Sequence, residues 1–475
     1  MSFIGREREL ADLTGQLDTV RAGRRADPGV AVMIRGRRRI GKSRLVDELT
    51  RRSGVPFAYF QAARNAPVGD ELSSFAWSVA TSTLPNAAVA AGNTPQSLTA
   101  ALTLLDAALD DQPAIVVIDE LPWLLEQIGG GAGELQRVWD TRLSKKPVLL
   151  LLLGSDLAMM EQLMAPDQPF YGRATEMNLG ALTPTDIGHM VGAVDAMAAF
   201  DAYLVTGGLP LVAQEWEHGE SLTSFLERSF ASSTSALVVS GGRALDAEFP
   251  EASISRRVLT AIGGKGERTF TGIQNDGAND AMNASTLTAT LRALTDKRIV
   301  AADEPLSAKQ AAKNRRYRID DPALRFWLAF VDPALGEVDR ARPDLALARV
   351  ELSFTSWRGR AIEPVVRASL ERLLPDERWP QVQKVGGWWP RNNTPEIDLV
   401  GATRHHEVQF AGTITWRSSP LTARDVTDLS VDATSIPGVG VGTALVAVCP
   451  GGADPSARDD LAQVWSARDL LAAWP

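Results

Sequence analysis

The stretch MIRGRRRIGKSRLVDEL, residues 33–49, decides how the first part of the chain folds. Gly36 is followed, four residues on, by Gly41-Lys42-Ser43. The apolar run 29–34 ahead of the loop reads as a buried strand. Leu45, Val46 and Leu49 behind it fall on one helical face. A Gly-x4-Gly-Lys-Ser loop between a strand and a helix is a phosphate cradle. Glycine lets backbone amides approach phosphate oxygens, and the helix N-terminus adds a favourable dipole. Lys42 would reach the β- and γ-phosphates, and the Ser43 hydroxyl would ligate Mg²⁺. Arg37, Arg38, Arg39, Ile40 and Arg44 contribute backbone N–H groups, while the arginine side chains are expected to point to solvent or to a lid.

The run AIVVID at 114–119 is apolar until it ends in Asp119, with Glu120 next. A carboxylate at a strand tip can hold Mg²⁺ through water, and the following one can orient or deprotonate a water that attacks the γ-phosphate. That assigns Ser43 and Asp119 to the metal and Glu120 to general-base work. The paired acids point to hydrolysis rather than kinase or signalling-GTPase chemistry, and no NKxD-like guanine-reading sequence is present. PVLLLLLGS at 147–155 puts Ser155 at another strand tip, where it either senses the γ-phosphate or caps the next helix. Arg173, in FYGRATE, either contacts the γ-phosphate or pairs with a surface carboxylate; the first is the expectation.

Runs 29–34, 56–62, 114–119, 147–155 and 174–180 alternate with helical stretches, the pattern of a parallel, doubly wound α/β sheet. Beyond residue 183 the pattern becomes helical up to about residue 245. Short helices, the basic turn-prone segment SAKQAAKNRRYRIDDP at 307–322, and a Pro- and charge-rich linker at 332–346 follow. A further helix and strand-like runs end the chain. At 475 residues the chain exceeds one core and suggests about three domains of roughly 150 residues. The net charge of −9 gives no global basic field, so any nucleic-acid surface must be a local patch. The lone Cys449 excludes a disulfide framework. No signal-type apolar region opens the chain and no run approaches the ~20 residues of a membrane span, so a cytoplasmic protein without a membrane partner is expected.

Six blocks occur in order: FIGREREL (3–10), GRRRIGKSRL (36–45), VVIDELPWL (116–124), LLGSDLAMM (152–160), YGRATEMNLGAL (171–182) and YLVTGGLPLV (203–212). Together, over about residues 3–240, they resemble the archaeal-type ATPase family, grouped with STAND and AAA+ relatives. The resemblance implies that the cofactors are ATP and Mg²⁺ and that Ile4, Gly5 and Arg6 border the adenine. It also implies a helical lid whose turn, with Gly208 and Pro210, lies near the nucleotide. In STAND proteins this turn couples nucleotide state to domain arrangement, so the chemistry suits a switch as well as a motor.

RRYRIDDPALRFWLAFVDP (315–333) looks like the junction that follows a winged helix in members with a nuclease-like C-terminus. MNASTLTATLRALTDKRIV (282–300) would then be the recognition helix. Lys309, Lys313, Arg315, Arg316 and Arg318 would form a basic wing able to touch the phosphates of double-stranded DNA. The C-terminal part resembles a PD-(D/E)XK nuclease, offering Glu363, Glu396 and Asp398. Where relatives carry Gly-Glu-x-Lys-Trp, however, this chain reads Gly412-Thr413-Ile414-Thr415-Trp416. Threonine replaces neither a carboxylate ligand nor a lysine. A shifted register would use Glu407 instead. His405-His406 reads as a solvated turn rather than a metal pair, because neighbours on a strand face opposite ways.

The expected architecture is a P-loop ATPase core at 1–182, a helical lid at 183–245, a winged helix at 246–334 and an inactive nuclease-like domain at 345–475. The expected function is an ATP-hydrolysing switch that positions the last two modules on DNA, with a protein partner or self-association as further possibilities. An ATP-dependent DNA nuclease of a mobile-element or defence system and a nucleotide-binding scaffold are the alternatives.

Overall fold

The apolar runs of the N-terminal part become strands because each lacks polar alternation and is short enough to be covered on both faces. In the computed structural model, which describes residues 3–24, 26–248, 254–276, 282–309, 314–440 and 442–474, they are β1 (Val30–Arg35), β2 (Phe57–Gln61), β3 (Ala114–Asp119), β4 (Val148–Gly154) and β5 (Ala174–Asn178). They form one sheet of order β2-β3-β4-β1-β5, with every neighbouring pair parallel. Strands β3 and β4 are buried along their whole length.

The chain divides into two units, Met1–Ala181 and Leu182–Pro475. In the first, α1 (Glu7–Ala22) buries Leu10, Leu13, Leu17 and Val20, as its sequence period requires. Helix α2 (Lys42–Ser53) follows the phosphate loop, and α3 (Val68–Ala80) and α4 (Leu98–Ala108) complete one face of the core with Phe75, Leu102 and Leu105. Helix α5 (Leu121–Gln127) follows β3, α6 (Gly131–Thr141) comes next, and α7 (Leu157–Leu163) follows β4. The topology decides the site: β4 lies between β1 and β3, so its tip falls between the phosphate loop and the acid pair.

The second unit opens with α8 (Pro184–Val191), α9 (Ala196–Thr206), α10 (Pro210–Ala213), α11 (Leu222–Phe230) and α12 (Ala236–Glu248). Helices α13 (Ile254–Ile262), α14 (Phe270–Gln274) and α15 (Ala284–Asp296) then combine with β6 (Arg268–Thr269), β7 (Val300–Asp303) and β8 (Arg316–Ile319). These strands form an antiparallel sheet of order β6-β8-β7. After α16 (Pro322–Phe326) and α17 (Leu335–Asp339) comes the 31-residue α18 (Pro343–Leu373). A last sheet of order β13-β12-β11-β10-β9 closes the unit: β9 (Lys384–Trp388), β10 (Ile397–Ala402), β11 (Val408–Ile414), β12 (Ala444–Val448) and β13 (Gln463–Trp465). Strands β9 to β11 are antiparallel, and β11 to β13 are parallel, with α19 (Ala423–Ala433) between β11 and β12.

Segments 183–245, 246–334 and 345–475 all contribute to one core, and the last adds a second cluster of its own around Val400, Ala411, Val426 and Ala447. One contiguous cluster runs from Leu182 to Leu470 through Phe200, Val258, Leu287, Trp327, Trp357 and Phe410. Trp327 Nε1 donates to Val238 O at 2.8 Å, and Trp357 Nε1 donates to Gly264 O at 2.9 Å, so one indole ties α12 to the segment after α16 and the other ties the turn after α13 to α18. The expected linker at 332–346 is helical instead: a short 3-10 turn, α17 and the start of α18. Its Pro, Gly and charges read as a loop, but Ala334, Val338 and Ala346 recur at helical spacing and are buried.

Candidate functional site: the phosphate loop and the acid pair

The loop that joins β1 to α2 is held shut at its base. Arg35 O accepts from Leu179 N at 2.8 Å, and a Cβ on Gly36 would lie 2.7 Å from Leu179 O, so no side chain fits there. Arg39 and Gly41 take positive φ, 64° and 97°, the kind of backbone that turns successive amides toward one point. Lys42 is 7% exposed and donates from Nζ to Gly36 O at 2.7 Å and to Arg37 O at 3.3 Å, so its ammonium lies across the loop. Burial pulls its pKa below the ordinary lysine range, opposed by the charges of Glu120 and Asp119.

The acid pair meets the loop directly. Ser43 Oγ donates to Asp119 Oδ2 at 2.9 Å, and Tyr59 OH donates to the same oxygen at 2.5 Å. Asp119 Oδ1 accepts from Glu120 N at 2.9 Å. Burial pushes the Tyr59 phenol well up, so it stays a proton donor to the carboxylate. Burial likewise raises Asp47, on α2. Glu120 is 9% exposed and sits at φ 54°, ψ 39°. That left-handed backbone costs a non-glycine residue about 1–2 kcal/mol. Strain of this kind collects at functional sites. Here it turns the Glu120 carboxylate to the next strand, where Oε2 accepts from Ser155 N at 3.1 Å.

Ser155 is not the helix cap. Asp156 caps α7, accepting from Met159 N at 3.0 Å. That leaves the Ser155 hydroxyl with Arg38, whose Nε lies 3.4 Å away while its guanidinium lies 5.3 Å from the centre of the Trp123 ring. The structure therefore brings together Gly36, Arg38, Gly41, Lys42, Ser43, Asp119, Glu120 and Ser155. Arg6, expected beside an adenine, binds the loop's far side through Ile40 O at 3.1 Å and Gly180 O at 2.5 Å, with its own φ at 64°. Arg173 is engaged elsewhere. It holds Asp140 of α6 through Nε at 2.8 Å and Nη2 at 2.9 Å, and it donates to Pro169 O and Tyr171 O. The surface-pair role describes it better than the expected phosphate contact. Gly208 and Pro210 belong to the second unit, where Gly208 O accepts from Leu182 N and a Cβ on Gly207 would strike Ala323.

The donor set fits a magnesium nucleotide. Ser43 and Asp119 are hard oxygen donors at one point, as Mg²⁺ requires, and the glycine-lined loop beside them leaves backbone room for phosphate. Sequence reasoning missed Tyr59. Nothing in FAYFQA marks it, because its role depends on β2 lying next to β3, and strand order is not written in a single strand.

The expected basic wing is a different structure. Arg315 is bonded to Glu304. Arg316 is 7% exposed, and it binds Glu267 at 3.2 Å, Glu396, and Asn393 Oδ1 at 3.0 Å while lying 4.2 Å from the centre of the Trp389 ring. Arg318 bridges Asp303 and Asp320, each at 2.7 Å. The backbone docks too: Leu306 N donates to Gly387 O at 2.8 Å, Ala308 N donates to Pro437 O at 3.0 Å, and Trp389 Nε1 donates to Asn314 O. Lys309 O accepts from the buried Ser307 hydroxyl. Lys313 lies outside the described residues. Arg315 and Arg316 are thus committed to carboxylates of their own unit, where counting basic residues had suggested a phosphate surface.

In the last sheet, Asp398 Oδ2 accepts from Thr413 Oγ1 at 2.9 Å and from Ile414 N at 2.8 Å. Glu363 pairs with Arg367 at 3.0 Å, and Arg367 Nε donates to Asp398 O. Burial pushes Glu363 up to about 8 in spite of Arg367, and burial also raises Asp398. The shifted register fails. Leu399 pairs with Gly412, so Thr413 lies beside Asp398, whereas Glu407 is six residues further along, about 20 Å at strand rise. His405 falls in the turn between β10 and β11, and His406 follows it.

Residues 327–428 match a family described as archaea bacterial proteins of unknown function, DUF234. An uncharacterized protein of Methanocaldococcus jannaschii is 24% identical over 435 residues, covering 89% of each chain. Among solved structures, the chain is similar to a Walker-type ATPase of Pyrococcus abyssi, with TM-score 0.46 and 18% identity over 69% of this chain and 96% of that one. It is also similar to the ORC2 protein of Aeropyrum pernix, with TM-score 0.42 and 16% identity over 73% and 96%. Among the described residues, no helix is long and apolar enough to cross a membrane.

Proposed function

We propose that the chain binds ATP with Mg²⁺ in the 36–43 loop, hydrolyses it, and uses the nucleotide state to reposition the Leu182–Pro475 unit. The contact that carries this reading is the Ser43 hydroxyl on the Asp119 carboxylate, with Glu120 next in the chain and held to the tip of β4. Bound Mg²⁺ would neutralise charge on the phosphates. Ser43 and Asp119 would hold it, and Lys42 would exchange its loop carbonyls for phosphate oxygens. Glu120, adjacent to Ser155, would orient a water and accept its proton. ATP turnover by the full chain tests this. If Lys42→Ala turns over ATP at the wild-type rate, the assignment fails.

The three helices α13–α15 with the β6-β8-β7 sheet support a winged-helix reading of 254–319. The docked β7–β8 hairpin supports an internal role for the wing, which would link the small sheet to β9 rather than touch phosphates. The exposed side of α15, with Ser285, Thr288 and Arg292, is the face left for duplex DNA. The antiparallel-then-parallel last sheet with Glu363 on α18 supports a nuclease-like domain. Thr413 on Asp398 supports its inactivity. Turnover measured with and without duplex DNA separates a DNA-coupled switch from one coupled to protein.

A further inference from the structure

Arg325 is a charged side chain in an unusual position. It is 4% exposed, and its Nε has no hydrogen-bond partner. Among the described residues, its side chain donates one hydrogen bond, from Nη2 to Arg360 O at 3.3 Å. That carbonyl is free because Pro364, one helical turn on in α18, has no N–H to donate to it. Burial lowers the Arg325 pKa to about 10, so the guanidinium stays charged at neutral pH. The neighbouring carboxylates are committed elsewhere: Glu363 to Arg367, Glu267 to Arg316, Asp303 and Asp320 to Arg318. Glu267, Glu363 and Asp303 offset the charge of Arg325 without bonding to it, and a buried guanidinium N–H left without an acceptor is costly.

Arg325 also lines a cavity of about 280 Å³ inside the second unit. Tyr203 of α9, Arg318 and Asp320 at the end of β8, Trp357 of α18 and Trp474 line it as well. The two indole N–H groups are already used, on Gly264 O and Ser369 Oγ, so what the rings have left to offer is apolar surface. Arg318 is bonded to both Asp303 and Asp320, which leaves Arg325 as the cation of the wall with a donor, Nε, that has no acceptor among the described residues.

We propose that this cavity is a binding site for a small aromatic carboxylate or phosphate monoester, its anionic head on Arg325 and its flat body beside Trp357, Trp474 and Tyr203. The occupant would touch α9, the start of α16 and α18 at once. The α9 C-terminus carries the Gly207 turn that packs on Ala323, so the ligand would brace the lid helix against α18. This reading is independent of the ATP site.

Benzoate and phenyl phosphate, titrated into the full chain by calorimetry, distinguish the two head groups. Arg325→Met should weaken binding at least tenfold. Ala368→Phe, which fills the cavity without touching a charge, should weaken it equally while the fold, followed by circular dichroism, persists. A phosphate contribution from the 36–43 loop would survive both changes and so would be told apart. Wild-type binding of neither compound at 10 mM, or undiminished binding by Ala368→Phe, overturns the proposal.

Discussion

The Ser43 hydroxyl rests on Asp119 Oδ2 at 2.9 Å, which joins the first residue pair of α2 to the tip of a strand two places away in the sheet. The contact works because β4, lying between β1 and β3, is apolar to its end and keeps its own polar atoms out of the gap until Ser155. Asp119 is 2% exposed, and it also accepts from Tyr59 and from Glu120 N, so its orientation is fixed before any ligand arrives. Asp119→Asn replaces one acceptor with a donor opposite Ser43 and Tyr59. Turnover should fall at least 100-fold, with the Mg²⁺ concentration for half-maximal rate displaced upward. A Mg²⁺ titration of ATPase rate reads both, and an unchanged midpoint would remove Asp119 from the metal.

Glu120→Gln keeps the size of the side chain and its acceptor for Ser155 N but removes the base. Turnover should drop by about 10²–10⁴, the usual worth of a positioned general base, with nucleotide affinity within a few-fold of wild type. Fluorescent-nucleotide binding beside a phosphate-release assay gives the two numbers. Equal losses in both would mean that Glu120 serves the fold.

Arg173→Ala should leave the turnover of the isolated chain within about twofold. Its guanidinium grips Asp140, a pair exposed enough to contribute only about 0–1 kcal/mol. A 100-fold loss in turnover without a change in melting temperature would return Arg173 to the phosphates.

The first unit was largely legible. β1, β3, β4 and the loop glycines announce themselves locally, because burial on both faces forces uninterrupted apolar runs and phosphate contact forces glycine. Tyr59 and the Ser155–Glu120 bond were not legible, since both depend on strand order. In the second unit, the basic residues at 309–318 were visible but their partners were not. Glu396 lies 80 residues from Arg316, and only the fold brings them together. The 332–346 segment misled for a related reason: its helix is set by burial of Ala334, Val338 and Ala346 in the unit's main core rather than by local propensity.

Arg316 tests how firmly the wing is docked. Its guanidinium binds two carboxylates and an amide and lies over Trp389, all with 8% side-chain exposure. Arg316→Ala leaves Glu267 without its cation and Glu396 with Arg360 alone, at 3.8 Å, a change that costs about 3–5 kcal/mol for a buried pair. A lower urea midpoint with unchanged ATPase rate is the expected result. Arg316→Lys should recover little, because an ammonium cannot reproduce the fork.

Glu363 gives the second unit a pH dependence of known sign. Its folded pKa stands at about 8, above an ordinary 4.5, because burial disfavours the charge. Between those two values the folded chain holds a proton that the unfolded chain has released, so stability falls as pH rises through the window. With 13% side-chain exposure, solvent screening is modest, and the loss on going from pH 5 to pH 8.5 is roughly 3–5 kcal/mol at most. Asp398 is raised by burial too and acts in the same direction. Glu363→Gln keeps the bond to Arg367 and removes the titration. Urea midpoints across this range should decline for the wild type and flatten for Glu363→Gln. Parallel curves would mean that Glu363 is ionised in the fold, held by Arg367, and that the carboxyl cluster around Asp398 is a set of ion pairs.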